Sequence, residues 1–500
     1  MAVTKKCMSF ASEESYKILS GSTVLLTSAA FANNELRTDE YCLNAAPNNQ
    51  YTFRMIDTYQ SSGDSWSSGS WVSIAGQYGN IVLKNFMTER VTEDIPFSLY
   101  YPVMKNQQWK MFSSTSSIAS DWFAVNFSDN NWQQVTLGSA SPATGTQYFR
   151  KQLSGLPNMA AYEARFNYRY GIVAYMNGQE IFRDHMADGA VTPATPSSGA
   201  FEEAEYHGVI RPASEIESGN SVLAVELHFP SSGENAVDFD AFVASIAPSM
   251  QASENTQCFI YPYSVTITST SGSTSGNIFD YYKTNCYSAT SAQMPGMVTY
   301  ELTGSRAHIN GVRVWPYSGY SNAPSAFTMQ GAVSSSSSYT TVVSVSGAIY
   351  TTSTYQTFYG LFNSKPFQSY RFSFTSTAGA SELKLYEIQP VTCHDLLPSS
   401  IEFQPNSYSV YAKYQEVTIH PTLTEFTGCT ISPALPAGLT LNPTTCTITG
   451  KATVGLASTV FTVSSTMVGQ PYQGTFTLQV TDCQGMLMKV MRTYKANGYF

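Results

Sequence analysis

Apolar and polar residues alternate with a period of two along much of the chain, most clearly over residues 51–57, 164–170 and 367–374. Successive side chains of a strand point to opposite faces of a sheet, so this pattern predicts half-buried β-strands. Asn177 and Gly178 stand between two such runs, and they predict a tight hairpin because both tolerate a positive φ. The pattern as a whole predicts an all-β protein.

The composition supports this fold class and limits the function classes. Of the 500 residues, 12% are charged and 13% are aromatic, which disfavours both an all-helical and a disordered chain. The net charge of −9 offers no broad basic surface, so we expect no nucleic-acid partner. No run approaches the roughly 18 apolar residues of a membrane span. At about 100–150 residues per domain, the chain should form several tandem β-sandwiches, jelly rolls and an Ig-like sandwich among them.

Changes of pattern divide the chain into a lead, four modules and a final segment. The lead covers 1–13, and the first to fourth modules cover 14–104, 105–250, 251–394 and 395–483. Residues 484–500 read like the opening strand of a further β-domain or a truncated end. Because the first residues contain no apolar stretch typical of a signal peptide, we expect a segment of a longer chain or an incomplete gene model.

The first module contains a loop rich in Asp, Gly and Trp between two predicted strands. Asp57 and Asp64 precede Trp66 there, and their carboxylates are hard oxygen ligands suited to a structural Ca²⁺. The alternative is a tight turn over which Trp66 packs, since two carboxylates are few for Ca²⁺. The segment resembles the D-x-Y-G-D-G-W-x-x-G segments of repeated secreted β-domains of microbes, with residues 60–63 in place of a single glycine.

The second module carries four motifs in order: FSDNNW at 127–132, YFRK at 148–151, AYMNGQE at 174–180 and GNSVLAVE at 219–226. Together they resemble the galactose-binding-like jelly-roll family. The resemblance implies a jelly-roll fold, and the family includes carbohydrate-binding modules and accessory domains of glycosidases. Some members carry a structural Ca²⁺ and some bind no ligand, so the fold alone does not decide the function.

Two groups of side chains in the second module are candidate ligand contacts. Aromatic faces and polar groups suited to a sugar are provided by Tyr168, Tyr170 and Arg183. The alternative is that strand alternation turns the aromatic rings into the core. The resemblance also implies a calcium site with carboxylates from Glu226, Asp238 and Asp240. The alternative is that these carboxylates only cap strand ends.

The third module resembles a discoidin domain, also called factor 5/8 type C. The resembling segments are INGVRVW at 309–315, APSAFTMQG at 323–331, YRFSF at 370–374 and LKLYEIQ at 383–389. The family often ties its first and last strands with a disulfide, which implies a Cys258–Cys393 bond, although Cys286 leaves the pairing open. The family binds glycans, lipids or proteins through loops at one end, where we expect Trp315, Tyr317 and Tyr320.

The fourth module contains LPAGLTLNPTTCTITG at 435–450, in which Pro and Gly punctuate two short strands. This stretch resembles the immunoglobulin-like repeats of bacterial and protist surface proteins, which are usually spacers. Cys429 and Cys446 flank these strands and are expected to pair. An even cysteine count in a Ser/Thr-rich β chain suits an oxidising compartment. The sequon at Asn126 is a candidate glycosylation site, although such triplets also occur by chance.

The sequence shows no pattern of catalytic residues. The motifs HExxH, GxSxG, GxGxxG, the P-loop and the kinase signatures are missing, and the six histidines are scattered. We therefore expect a non-catalytic extracellular or cell-surface protein for adhesion by glycan binding, with glycans or surface proteins as partners. One alternative is a self-associating structural subunit of an extracellular filament, appendage or coat. Another is a set of accessory modules of a large secreted hydrolase.

Overall fold

A computed structural model gives the fold of the chain. It describes residues 1–482 except 60–65, 68, 86, 88–90, 139–140, 143–144, 154–159, 188, 217–220, 232–235, 238, 275–277, 280–285, 304, 318–319, 349, 351–353, 361–364, 395–400, 402, 404–405, 414, 422–426 and 468–469. Two compact units make up the chain, Met1–Asp395 and Leu396–Phe500. The first three modules belong to the first unit. The expected final segment, 484–500, lies outside the described residues.

The first module contains eight strands: β1 (Ala2–Lys6), β2 (Glu14–Ser20), β3 (Thr23–Thr27), β4 (Leu36–Glu40), β5 (Tyr51–Asp57), β6 (Trp71–Ala75), β7 (Ile81–Asn85) and β8 (Thr92–Phe97). They form two four-stranded antiparallel sheets, in the orders β4-β1-β6-β7 and β3-β2-β5-β8. Residues that alternate along these strands, such as Tyr16, Phe53 and Val72, meet in one buried core.

The lead predicted over residues 1–13 is wrong, because β1 lies inside a sheet between β4 and β6. Val3 and Lys5 both point inward and are 0% and 1% exposed. The Lys5 ammonium forms a buried ion pair with Glu14 and lies 3.7 Å from the centre of the Trp66 ring. The apolar–polar alternation of β1 is obscured because Lys5 occupies a core position, and its acidic partner, Glu14, comes from the next strand.

The second module contains eleven strands: β9 (Gln108–Ser114), β10 (Gln133–Thr136), β11 (Ser141–Pro142), β12 (Thr146–Leu153), β13 (Ala161–Tyr168), β14 (Gly171–Met176), β15 (Gln179–Asp184), β16 (Glu205–Pro212), β17 (Ser221–His228), β18 (Ala236–Val237) and β19 (Asp240–Ile246). The six-stranded sheet β10-β9-β12-β17-β14-β15 packs against the three-stranded sheet β16-β13-β19. The predicted hairpin is confirmed, since Asn177 and Gly178 turn from β14 into β15 with φ of 50° and 89°.

The outer face of the six-stranded sheet is covered by the segment between β9 and β10. Trp122 from this segment packs edge-on against Tyr148 and Tyr175 of the sheet, and Trp132 stacks on Phe112 of β9. Arg150 of β12 ties the segment down, because its guanidinium donates to the backbone oxygens of residues 122, 124 and 127 and to Asp129. The module therefore has a second aromatic cluster outside its sandwich core.

The third module contains twelve strands: β20 (Gln251–Ala252), β21 (Asn255–Ile260), β22 (Val265–Ser271), β23 (Ser273–Thr274), β24 (Tyr287–Thr290), β25 (Gly296–Leu302), β26 (Gly311–Pro316), β27 (Pro324–Ala332), β28 (Thr340–Val345), β29 (Gln356–Tyr359), β30 (Ser369–Thr377) and β31 (Glu382–Cys393). The sheet β22-β25-β30-β27-β28 faces a sheet centred on β31, which pairs with β21, β24 and β26. Cys258 and Cys393 lie opposite each other and form the disulfide that the resemblance implied.

Polar side chains and one backbone bridge join the first three modules. The Tyr263 hydroxyl donates to Glu163 of β13 at 2.6 Å and accepts from the backbone N–H of Ile81 in β7 at 3.2 Å. Gly208 of β16 forms a parallel bridge with Ala307 of the third module, and Arg306 forms an ion pair with Asp184 at 3.1 Å. Short 3₁₀ helices also occur in this unit, at Ala213–Glu215, Pro248–Met250, Ser291–Gln293 and Tyr320–Asn322.

The second unit is a smaller sandwich of seven strands: β32 (Ser407–Tyr411), β33 (Val417–Ile419), β34 (Thr427–Ser432), β35 (Leu439–Leu441), β36 (Ile448–Gly450), β37 (Leu456–Met467) and β38 (Gln470–Thr481). Its sheets have the orders β32-β38-β37-β34 and β33-β36-β35, and β32 runs parallel to β38. The predicted Cys429–Cys446 disulfide is present in the core between them. The chain is thus an all-β protein of tandem β-sandwiches.

Candidate functional site

The third module has a depression at one end of its sandwich, which we call the loop-end depression. Its volume is about 610 Å³, within the range of small-ligand sites. The turns that follow β26, β28 and β30 surround it and contribute Tyr320, Ser321, Gly347, Tyr350 and Gly379, and the last residue of β30, Thr377, also lines it. Ser325 at the start of β27 completes the wall. Residues distant in the sequence therefore converge because three strands end at the same edge.

Backbone hydrogen bonds hold these turns together. The N–H of Ala348 donates to the carbonyl of Ser325 at 2.8 Å, and that of Ala378 donates to Ala323 at 2.9 Å. The N–H of Ala380 donates to the carbonyl of Ser321 at 2.9 Å. The turns after β28 and β30 are thus tied to the start of β27 and to the 3₁₀ helix in the turn before it. These bonds fix the shape of the depression, which lowers the entropy lost on binding.

The lining combines aromatic rings with hydroxyl groups. Tyr350 is 6% exposed, and its hydroxyl donates to the carbonyl of Pro324 at 3.2 Å. Burial raises the pKa of the Tyr350 phenol, which therefore stays protonated. The Ser325 hydroxyl donates to the carbonyl of Thr377 at 2.6 Å. Tyr320 is only partly buried; it packs against the core cluster of the module and also lines the depression.

Glycine is required at two points of the rim. Gly347 has a φ of 69° and Gly379 a φ of 139°, which are conformations that residues with a Cβ rarely adopt. No atom lies within 4 Å of the position that a Cβ would take at either residue. The tight turns therefore need glycine for their backbone conformation, and the space beside them is open.

The three sequence candidates of the third module separate in the structure. Only Tyr320 lines the loop-end depression. The Trp315 ring packs edge-on against Tyr355 with centroids 4.5 Å apart, and Tyr317 packs on Tyr386 at 4.9 Å. The sequence analysis missed Tyr350 and Ser325. They could have been found only from knowledge of which turns lie side by side at the end of the sandwich, since each residue lies in an ordinary Ser/Gly-rich segment.

The aromatic candidates of the second module are core residues, so they offer no ring face to a sugar. Tyr168 is 1% exposed and Tyr170 is 7% exposed. The Tyr168 hydroxyl donates to Asp184 at 2.6 Å, and burial raises the pKa of its phenol. Arg183, also buried, is engaged by Glu180 and by the carbonyl of Ala187. Strand alternation turns Tyr168 into the core, as the alternative interpretation stated, whereas Tyr170 is buried between β13 and β14 and Arg183 lies opposite Val173 on the other face of its sheet.

Three of the five candidate calcium ligands are buried and already hydrogen-bonded. Asp57 accepts from the N–H of Tyr59 at 2.9 Å, and Glu226 accepts from the Tyr175 hydroxyl at 2.7 Å. Asp240 accepts from the Tyr206 hydroxyl at 2.8 Å and from two backbone N–H groups. In the described residues, no group of three or more His, Cys, Asp or Glu is placed to hold a metal ion.

The other two candidate ligands, Asp64 and Asp238, lie outside the described residues. Calcium binding therefore stays a prediction. So does glycosylation at Asn126, which is exposed on a turn. The next residue, Phe127, packs edge-on against Trp132, so this turn is held by the aromatic cover of the sheet.

A family model described as "Putative Ig domain" matches residues 389–481. This confirms the immunoglobulin-like fold expected for the fourth module. A comparison with curated proteins found no match. Among the helices of the described residues, none has the length and apolar character needed to span a membrane.

Solved structures of carbohydrate-binding modules are similar to parts of the chain. One is the CBM32 of AlyQ in complex with 4,5-unsaturated mannuronic acid, with 21% identity over 25% of this chain and 92% of that chain and a TM-score of 0.21. A second is chitosan-binding module 1 of a chitosanase/glucanase from Paenibacillus sp. IK-5, with 18% identity, coverages of 26% and 94%, and a TM-score of 0.21. A third is a CBM32 from Clostridium perfringens in complex with GalNAc-β-1,3-galactose, with 17% identity, coverages of 25% and 93%, and a TM-score of 0.21.

Proposed function

We propose that the chain binds glycans and that the loop-end depression of the third module is the binding site. The observation that carries this proposal is that Tyr320, which is partly exposed, lines the same depression as Ser325 and Thr377, two residues with hydroxyl groups. A sugar offers C–H faces that pack on an aromatic ring and hydroxyls that both donate and accept hydrogen bonds. The lining provides partners for both kinds of surface.

The frame around the depression also favours binding. The turns are held by hydrogen bonds to the start of β27, and the third module is joined to the second by the Gly208–Ala307 bridge. A ligand would therefore meet a largely preformed surface, which lowers the ordering cost of binding. The fourth module would then act as a spacer.

An extracellular or cell-surface location is part of this proposal. Disulfides persist in oxidising compartments, and Cys258–Cys393 and Cys429–Cys446 each sit in a buried core. A surface protein of this kind would use its glycan site for adhesion, without catalysing a reaction.

A glycan array with the full chain tests the proposal, run once with Ca²⁺ and once with EDTA because calcium binding is still a prediction. Neutral oligosaccharides that bind should then be titrated against Tyr320→Ala, which removes the ring, and Tyr320→Phe, which keeps it. Tyr320→Ala should weaken binding at least roughly tenfold, and Tyr320→Phe should retain most of it.

The matched control is Tyr317→Ala, which removes the same type of side chain outside the depression. It should bind like the unaltered chain. The proposal is wrong if no glycan binds in either condition, or if Tyr320→Ala binds as well as Tyr317→Ala.

A further inference from the structure

A second concave surface lies on the second module, on the outer face of the six-stranded sheet beside the segment that covers it. Its volume is about 360 Å³. Lys110 of β9 lies directly opposite Arg150 of β12 and Gln134 of β10, so the three form one row across the sheet. Gln108 lies two residues before Lys110 in β9, and Gln152 lies two residues after Arg150 in the antiparallel β12. Because side chains alternate, both face the same side of the sheet as Lys110 and Arg150. We call this surface the cationic groove.

The charges in this groove are unbalanced. Its lining contains Lys110, Arg150 and Lys151 but only one carboxylate, Asp129, although the whole chain has a net charge of −9. Like charges directly opposite each other on a sheet are destabilising. Asp129 already forms an ion pair with Arg150 at 3.0 Å. The other N–H groups of the Arg150 guanidinium donate hydrogen bonds to backbone carbonyls of the covering segment.

Lys110 is a cation of this groove whose charge is not paired within the described residues. In the part of the chain that the structure describes, its ammonium has no hydrogen-bond or ion-pair partner, although its side chain is half-buried. Lys151 donates to the carbonyl of Gln108 at 2.9 Å, and burial lowers the pKa of its ammonium. An anion placed in the groove would relieve the repulsion between Lys110 and Arg150 and supply the partner that Lys110 lacks.

We propose that the cationic groove binds an acidic saccharide, with the carboxylate or sulfate group of the sugar on Lys110. This goes beyond glycan binding at the loop-end depression, because it is a separate site on a different module. The neutral part of the lining favours a saccharide over an acidic peptide. The Gln134 amide donates to Gln108 Oε1 at 2.5 Å, and the remaining donors and acceptors of these two amides and of Asn130 suit sugar hydroxyls.

An aromatic surface continues the groove. Phe112 lies two residues beyond Lys110 on the same face of β9, is 37% exposed and stacks on Trp132 with centroids 5.6 Å apart. A neighbouring sugar ring of the same chain can pack its C–H face there. The arrangement of a cation, amides and an exposed ring thus matches the three kinds of surface on an acidic oligosaccharide.

Calorimetric titration of the full chain tests the proposal with four probes. These are an oligouronate, a sulfated oligosaccharide of similar length, a neutral oligosaccharide and polyglutamate. Binding of an acidic saccharide should weaken roughly tenfold or more in Lys110→Gln, because a charge-assisted hydrogen bond is lost. Lys110→Arg should retain the affinity, and raised salt should weaken it.

The matched control is Lys17→Gln, which makes the same change of net charge on the first module. It should bind like the unaltered chain, as should Tyr320→Ala, so that this site is distinguished from the loop-end depression. The first two probes tell a carboxylate from a sulfate ligand. The proposal is overturned if neither the oligouronate nor the sulfated oligosaccharide binds, or if Lys110→Gln and Lys17→Gln bind these two probes equally. It is also overturned if polyglutamate binds as tightly as both acidic saccharides.

Discussion

The guanidinium of Arg211 donates a hydrogen bond to Nδ1 of His394 at 2.9 Å, across 183 residues of sequence. On the other side of the ring, Nε2 of His394 donates to the carbonyl of Ile210 at 2.7 Å. These two bonds assign the neutral tautomer with its proton on Nε2. Arg211 lies in the second module's β16 and His394 follows the third module's β31, so this contact joins the two modules only while the histidine is uncharged.

Acid should therefore weaken the first unit. Burial lowers the pKa of His394 well below its usual 6.5, and it lowers the pKa values of His207 and His308 to about 3. The unfolded chain then binds more protons than the folded chain below pH 6.5, so stability falls as the pH decreases from 6.5 towards 3. Each such histidine contributes up to about 1.4 kcal/mol per pH unit. Urea unfolding at several pH values measures the slope.

The variant His394→Gln isolates one histidine, since an amide can accept from Arg211 and donate to Ile210 without titrating. Its unfolding free energy should depend less steeply on pH between 6.5 and 4. Glu163 acts in the opposite direction, because burial raises its pKa, but it is present in both proteins and cancels in the comparison. Equal slopes for the two proteins would contradict the assignment.

The contact among the first three modules through Tyr263 gives a second prediction. Tyr263→Phe removes the hydroxyl that Glu163 accepts from, and leaves a carboxylate that is 3% exposed without that donor. We expect a loss of about 1.5–3 kcal/mol in the free energy of unfolding. Denaturant unfolding of the first unit measures it. Tyr300→Phe is the matched control, because its buried hydroxyl has no hydrogen-bond partner among the described residues, and it should change stability little.

The buried ion pair of the first module gives a third prediction. Glu14→Leu leaves the Lys5 ammonium, which is 1% exposed, without its carboxylate, and should lower the free energy of unfolding by about 3–5 kcal/mol. The double variant Lys5→Met/Glu14→Leu should recover most of that loss, because no charge stays buried. Thermal unfolding distinguishes the two variants. Arg54→Ala, which breaks an exposed ion pair with Asp94, should have only a small effect.

The disulfide of the fourth module gives a fourth prediction. Cys429 and Cys446 are 17 residues apart, so the bond restricts a short loop of the unfolded chain and stabilises the module by about 3 kcal/mol. The variant Cys429→Ser/Cys446→Ser should lose that amount in urea unfolding. Cys42→Ser removes an exposed free thiol and serves as the control. If a reducing agent leaves the unfolding of the unaltered module unchanged, the disulfide has no such role.

Much of the fold was predictable because it depends on local patterns. Alternation located strands such as β5, β13 and β30, and Asn177–Gly178 located a hairpin, since both signals act within a few residues. The Ig-like module was readable from its Pro/Gly-punctuated stretch and is matched by a family model. The strand β1 was missed because Lys5 occupies a core position that only its partner Glu14 explains.

The site was less predictable. Tyr320 was found from its place in a loop, but Trp315 and Tyr317 close by proved to pack on Tyr355 and Tyr386. Exposure of an aromatic ring depends on which rings lie beside it, and those come from distant strands. The cationic groove was missed for the same reason, since Lys110 and Arg150 look ordinary until the register of β9 and β12 places them opposite each other.

The sequence by itself determined the fold class and the hairpin, because period-two alternation and turn residues are read along the chain, and a family resemblance implied the Cys258–Cys393 pair that Cys286 left open. The tertiary structure decided which side chains meet. It placed Tyr320, Ser325 and Tyr350 around one depression and joined Arg211 to His394. Such contacts depend on strand order and register, which bring distant residues together and leave no local trace in the sequence.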